Sequence, residues 1–342
     1  MVLALLAAAL VLAIGVAVSL GTLTIPLGDV WAIVAYRLSP VPLEAWWGDA
    51  WWSPTRDAIV FESRLPRALT AAVVGAALAV AGAVAQAVTR NPLADPYLLG
   101  VSSGAGFGVA TVTVLGFGAG TLGIFTLPLA AFFGALFPLA ATIVVSLRAR
   151  SVTAIVLVGV ALSMVFSSLV TFVLLVLGDV HQLGTVMQWL AGGFGDANWT
   201  SLMVPAGVLC IVGTAVVLCS RPLNLLLAGD DGATALGMNV VRFRILILLA
   251  VSLLAASAVA VSGTIGFVGL LVPHLAAYLV GRNAAHLVPT AALLGAVTLV
   301  LADILARSLS NTAELPIGVI TGLAGGPLFI VMLWRRYRQV AR

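Results

Sequence analysis

The chain runs to 342 residues, of which 62% are hydrophobic and 8% charged, with a mean hydropathy of +1.20. Soluble domains average about 45–50% apolar and about 25% charged residues, so water cannot be the solvent for most of this surface, and lipid must be. The formal charge is +4 and all 16 basic residues are arginine; a phosphate-binding loop of the Walker type needs a lysine, which excludes an ordinary ATP site on this chain.

Continuous apolar runs lie near residues 2–20, 65–88, 98–117, 124–147, 153–177, 200–219, 243–262, 265–281, 286–306 and 316–334. They do not alternate as barrel strands do, and at about 20 residues per span they predict an all-α polytopic bundle of about ten transmembrane helices. The opening run, MVLALLAAALVLAIGVAVSL, has no basic leader and no clear small-residue cleavage site, so it reads as a retained first span rather than a signal peptide.

Between the first two spans lies WWGDAWW (46–52). It reads as an interfacial aromatic belt or as a contact surface for a partner or flat ligand. FESRLPR (61–67) follows and places Arg64 and Arg67 on one helix face at i,i+3, with Pro66 in a first turn. Pairing with carboxylates of an extracytoplasmic partner and interfacial snorkelling both fit that spacing. Two small-residue stripes, Gly100/Gly104/Gly108 and Gly318/Gly322/Gly326, predict close helix packing.

The longest inner loop, about 221–244, contains a glycine-bounded short helix, GDDGATALG, suited to docking another protein. Its acids at the helix start also suit the dipole. The segment 263–281 is the most broken apolar run, with Pro273 removing a backbone donor, and predicts a kink or a discontinuous helix. Asp303 and Arg307 are spaced to pair at i,i+4. With the N-terminus in the cytoplasm, Arg37, Arg56, Arg64, Arg67 and Arg307 fall outside and the other 11 of the 16 arginines inside. That asymmetry satisfies the positive-inside rule with both termini cytoplasmic. Cys210 and Cys219 are too far apart along one helix for a disulfide, and His181, His274 and His286 are scattered.

The stretch RLPRALTAAVVGAALAVAGAVAQAVTRNPLADPYLLGVSSGAG (64–106) resembles the permease subunits of type II ABC importers, which bring in iron–siderophore complexes, haem and cobalamin. The match recurs at MQWLAGGFGDANW (187–199), GDDGATALGMNV (229–240), SGTIGFVGLLVPHLAAYLVG (262–281), DILAR (303–307) and ELPIGVITGLAGGPLFI (314–330). The resemblance implies one transmembrane permease domain over 1–342, in a multi-pass homodimer in the bacterial cytoplasmic membrane. It also implies two cytoplasmic ATPase subunits, which bind the ATP and Mg, and an extracytoplasmic substrate-binding protein. No cofactor or metal on this chain and no nucleic acid are expected.

By resemblance, Arg64, Arg67 and Arg307 dock the binding protein. Asp230, Asp231, Gly232, Ala233, Ala235, Leu236 and Gly237 couple to the ATPase, and Asn91, Leu93, Ser151 and Thr153 narrow the path. The expected cargo is an iron–siderophore complex or haem, with cobalamin as the alternative. A stand-alone secondary carrier is the rival from another class; it calls for midplane carboxylates, which the apolar runs lack. Two features depart from the family pattern: Ala276–Ala277, where an arginine commonly follows Pro-His-Leu, and the tryptophan-rich loop.

Overall fold

Backbone N–H and C=O groups in hydrocarbon have no water to bond, so a chain this apolar must satisfy them within helices. The computed structural model describes residues 1–21, 23–39, 51–118, 122–149, 152–309 and 314–340, and among these residues every regular element is helical. In chain order the helices are α1 (Val2–Ser19), α2 (Leu27–Leu38), α3 (Pro54–Thr89), α4 (Val101–Leu115), α5 (Thr126–Ala149), α6 (Val152–Phe172) and α7 (Val180–Ala191). There follow α8 (Trp199–Leu218), α9 (Ser220–Leu226), α10 (Asp230–Ala235), α11 (Val240–Ser262), α12 (Val268–Val280), α13 (Ala284–Ser308) and α14 (Ile317–Val340).

Seven of these, α1, α3, α5, α6, α8, α11 and α13, are long and apolar enough to cross a bilayer, and α4, α12 and α14 supply shorter apolar helices. Together they match the ten runs in the sequence. The central helix is α3: 89% of its most apolar stretch is buried, against 22% for α1, α6 and α8. Its 36 residues span about 54 Å at 1.5 Å per residue, well beyond a hydrocarbon core of about 30 Å. The first turns, including a π-helical turn at Ile59–Arg64, therefore extend past one end of the apolar zone.

Alanine and glycine make α3 thin enough to be surrounded. Ala71, Ala77, Ala79 and Ala81 are fully buried, and Gly75 meets Gly295 of α13 so closely that a Cβ on either would strike the other's carbonyl oxygen. With no hydrophobic drive between helices in lipid, such close packing is what holds them together. The first glycine stripe does the same on α4, where Gly104 packs on Gly134 and Gly108 on Ala130 of α5. The second stripe does so only in part. Gly318 lies against the Ala191 and Thr264 carbonyls, but a Cβ on Gly322 would meet nothing within 4 Å.

The broken segment is a discontinuous helix, and its break precedes the proline. Gly263–Phe267 is non-helical, with Phe267 in the left-handed region at φ 68°, while Pro273 lies inside α12. Protein groups satisfy the unwound stretch: Gly193 N–H donates to Ser262 O (2.8 Å), Thr264 Oγ1 to Leu190 O, and Ile265 N–H to Tyr97 Oη (3.3 Å). The carbonyl that Pro273 cannot bond is that of Gly269. Gln86 of α3 turns its amide toward it, donating to Leu270 O at 3.0 Å and lying 3.4 Å from Gly269 O.

Candidate functional site

The two ends of α3 carry two separate polar clusters. At its N-terminal end, the last carbonyls of α1 have no intrahelical partners, as at any helix C-terminus. Two arginines from other helices take them. Arg64 donates to Val18 O (2.9 Å), Ser19 O (3.1 Å) and Leu23 O (2.7 Å), while Arg307 of α13 donates to Ala17 O (3.0 Å) and Leu20 O (3.2 Å). Cations here also complement the negative end of the α1 dipole. Gly21 leaves the space that the Arg64 guanidinium fills.

Beside them Arg67 bridges two carboxylates. Its Nε and Nη2 donate to Asp303 Oδ1 at 3.0 and 2.9 Å, and its Nη1 and Nη2 to Glu314 at 2.9 Å each. Arg307 Nε sits 3.1 Å from the other oxygen of Asp303, so the expected i,i+4 pair forms. Asp303 is only 1% exposed, whereas Glu314 is 57% exposed. Arg64 and Arg67 share a helix face, as their spacing predicts, yet their head groups serve different partners. Arg64 is turned inward as a cap; Arg67 and Arg307 lie nearer the rim, Arg67 paired to a carboxylate that reaches the surface and Arg307 to buried Asp303.

Next to this rim, α2 and the first turns of α3 form a polar and aromatic platform. Arg56 pairs with Asp29 at 2.9 Å, Arg37 pairs with Asp57, and Trp51 Nε1 donates to Asp29 Oδ1 at 3.1 Å. Trp52 is buried edge-on to Tyr36, while Trp51 is exposed. Trp46 and Trp47 lie outside the described residues.

At the other end, α3 stops in a Schellman motif. Asn91 N–H bonds Gln86 O and Arg90 N–H bonds Ala87 O, with Arg90 itself left-handed at φ 51°. Asn91 Oδ1 accepts from Leu93 N–H at 3.0 Å, fixing the turn that follows. Leu93 lines a groove with Leu270, Leu271, His274, Phe329 and Met332, between α12 and α14. Thr153 is exposed near the start of α6, and Ser151 lies outside the described residues. In the same turn, Asp95 caps a 3-10 turn by accepting from Tyr97 N–H (2.8 Å), and burial pushes its carboxyl up to about 6.

Helix α10 stands at this end. Gly229 at φ 94° and Gly237 at φ 85° bound it, and Gly237 and Met238 close it by bonding Thr234 O and Ala233 O. Its residues divide between two faces. Ala233 is fully buried, and Asp230 turns to the bundle, 2.8 Å from Arg244 Nη2 and 3.5 Å from Arg90 Nη2. Asp231, Ala235, Leu236 and Gly237 are exposed, Leu236 by 67%, which leaves an apolar knob pointing away from the bundle. Sequence spacing singles out Asp230 but not its partners, Arg90 and Arg244, which come from other segments of the chain.

Residues 7–335 match the family model described as the FecCD transport family. The chain is 41% identical to the hemin transport system permease protein HmuU of Yersinia pestis over 299 residues, 84% of this chain and 88% of that one. It is 39% identical to the vitamin B12 import system permease protein BtuC of Escherichia coli O157:H7 over 310 residues, 90% and 93% of the two chains. Among solved structures, an inward-facing conformation of a putative metal-chelate type ABC transporter superposes with a TM-score of 0.84 at 32% identity. The match covers 97% of this chain and 98% of that one.

Proposed function

Because this chain belongs to the FecCD transport family and is an ABC importer permease, we propose that it moves an iron–siderophore complex or haem across the bacterial cytoplasmic membrane. It does so as a homodimer with two ATPase subunits and an extracytoplasmic binding protein, both termini facing the cytoplasm. ATP and Mg bind the ATPase partner. The observation that carries this reading is the opposition of two polar clusters at the two ends of one buried helix. Arg67, Arg307 and exposed Glu314 form a rim at one end, and the exposed knob of α10 stands at the other.

The arginine asymmetry supports placing the α10 end in the cytoplasm. There the Ala235–Leu236–Gly237 surface seats in the ATPase, and Leu93, with Asn91, Ser151 and Thr153, narrows the path. At the outer rim, a carboxylate from the binding protein exchanges with Glu314 for the Arg67 guanidinium, a charge-assisted contact with planar, two-pronged geometry. Arg64 stays beneath the rim and holds α1 in place. The spans offer few ionisable groups to grip a cargo, which suits a conduit fed by a high-affinity binding protein and argues against ion-coupled carriage.

The test is transport into proteoliposomes holding this chain, its ATPase and its binding protein, with ferric siderophores, haem and cobalamin offered separately. ATP-dependent uptake of a ferric siderophore or haem supports the reading. Uptake of cobalamin alone selects the alternative cargo, and uptake driven by an ion gradient without ATPase rejects the importer mechanism.

A further inference from the structure

We infer that Arg90 and Gln86, one turn apart at the end of α3, are positioning residues that transmit displacement of α10 to the discontinuous helix α12. This rests on the reading of α10 as the ATPase contact.

Two polar contacts in series connect the elements. Asp230, on the buried face of α10, lies 3.5 Å from the Arg90 guanidinium, and Gly229 leaves room for it: a Cβ there would come within 3.3 Å of Arg90 Nη1. Arg90 is the left-handed cap of α3. Its backbone is tied to Ala87, and the next residue is tied to Gln86, so a pull on Arg90 acts on the last turn of the helix as a unit. Gln86 leaves that turn in the other direction and holds Leu270 O at 3.0 Å.

A hydrogen bond from α3 to a backbone carbonyl of α12 is available because Pro273 frees the Gly269 carbonyl beside it. Gly82 and Gly269 let the two backbones touch, so the donor reaches without an extended side chain. Leu270 and Leu271 then face the groove that Leu93 also lines. Movement of α10 thus reaches α12 through one ion pair and one amide, while Arg244 of α11 binds the same Asp230 carboxylate at 2.8 Å. Spatial continuity alone does not establish coupling; the test must read it.

The experiment uses the full permease–ATPase complex in nanodiscs, with Cys210 and Cys219 changed to serine and Leu270→Cys as a reporter of groove accessibility. The probe is a water-soluble maleimide, and its reaction rate is compared without nucleotide and with ATP, Mg and vanadate. In the parent the rate changes about fivefold or more, the lower end of common coupling strengths. R90Q and Q86M each abolish that change while the ATPase stays bound and hydrolyses ATP, R90K restores it, and the double variant is no worse than either single one. Circular dichroism and thermal unfolding confirm that each variant is folded.

A retained nucleotide response in R90Q and Q86M overturns the relay and leaves the importer reading intact. Loss of ATPase binding in R90Q overturns it too, since Arg90 then belongs to the docking surface. If the parent binds no ATPase, the importer reading itself has failed.

Discussion

Arg67 of α3 and Asp303 of α13 meet across 236 residues of chain, two guanidinium nitrogens converging on one carboxylate oxygen at 3.0 and 2.9 Å. The carboxylate is shut away from solvent and sits between Arg67 and Arg307. It neutralises two arginines at once, so its loss leaves both under-compensated. Removing one partner of a buried pair costs about 3–5 kcal/mol. Asp303→Ala is therefore expected to lower the thermal midpoint in detergent sharply, whereas Glu314→Ala, at a largely exposed partner, changes stability by about 1 kcal/mol or less and leaves the midpoint close to that of the parent.

Arg64 caps α1, and the consequence is local. Arg64→Gln forfeits charge-assisted bonds to three carbonyls, each worth about 1.5–3 kcal/mol after solvent compensation. Amide exchange should accelerate in the α1–α2 connection, at Leu20 and Ile25, whose N–H groups bond Val16 O and Ser19 O. Exchange in α11 should not change.

Glycine contacts separate two kinds of stripe. Gly295→Ala drives a methyl into the Gly75 carbonyl and the Ala79 side chain, and overpacking of this kind costs about 1–3 kcal/mol. Gly322→Ala, at a position with open space around its Cβ, is expected to leave the unfolding midpoint of the isolated chain unchanged or slightly raised.

Asp95 gives a pH signature. Its carboxyl is raised from 3.8 to about 6, chiefly by burial, which outweighs the Tyr97 N–H bond that favours the charged form. A folded-state pKa above the unfolded value means the folded chain holds the extra proton between about pH 4 and 6. Stability from this group thus rises as pH falls from 6 to 4 and is lost above 6. Asp95→Asn keeps a capping oxygen and removes the charge, so it should be more stable than the parent near pH 7 by about 1–3 kcal/mol, one pKa unit being worth 1.36. That advantage should vanish near pH 4, as read by thermal unfolding at both pH values.

Much of this architecture is legible in the sequence because it depends on local pattern. Hydropathy locates the ten apolar helices, the Gly104/Gly108 spacing marks the α4–α5 contact, and the i,i+4 rule pairs Asp303 with Arg307. The candidate site is less legible, since its key contacts join distant segments. Nothing near Asp303 announces Arg67, and nothing near Arg64 announces the carbonyls of α1. The sequence marks 263–281 as broken, but attention to Pro273 misses the position of the break, which lies at Gly263–Phe267. A proline in the first turns of a helix frees one carbonyl, which Gln86 meets, whereas the unwinding follows from tertiary partners such as Tyr97 and Gly193. The apolar knob is half-visible: GDDGATALG shows a short helix, but only the fold separates buried Ala233 and the arginine-paired Asp230 from exposed Leu236.

The most direct measurement is hydrolysis of ATP by the ATPase subunit in nanodiscs, with this chain and with its Leu236→Asp variant, in the presence of binding protein. The account predicts that the wild-type chain captures the ATPase and that the binding protein stimulates hydrolysis. Leu236→Asp, which puts a charge on the exposed knob without touching Asp230, should release the subunit and abolish the stimulation. Full capture and stimulation with Leu236→Asp would contradict the placement of the coupling surface on α10, and failure of the wild-type chain to capture any ATPase would contradict the importer mechanism itself.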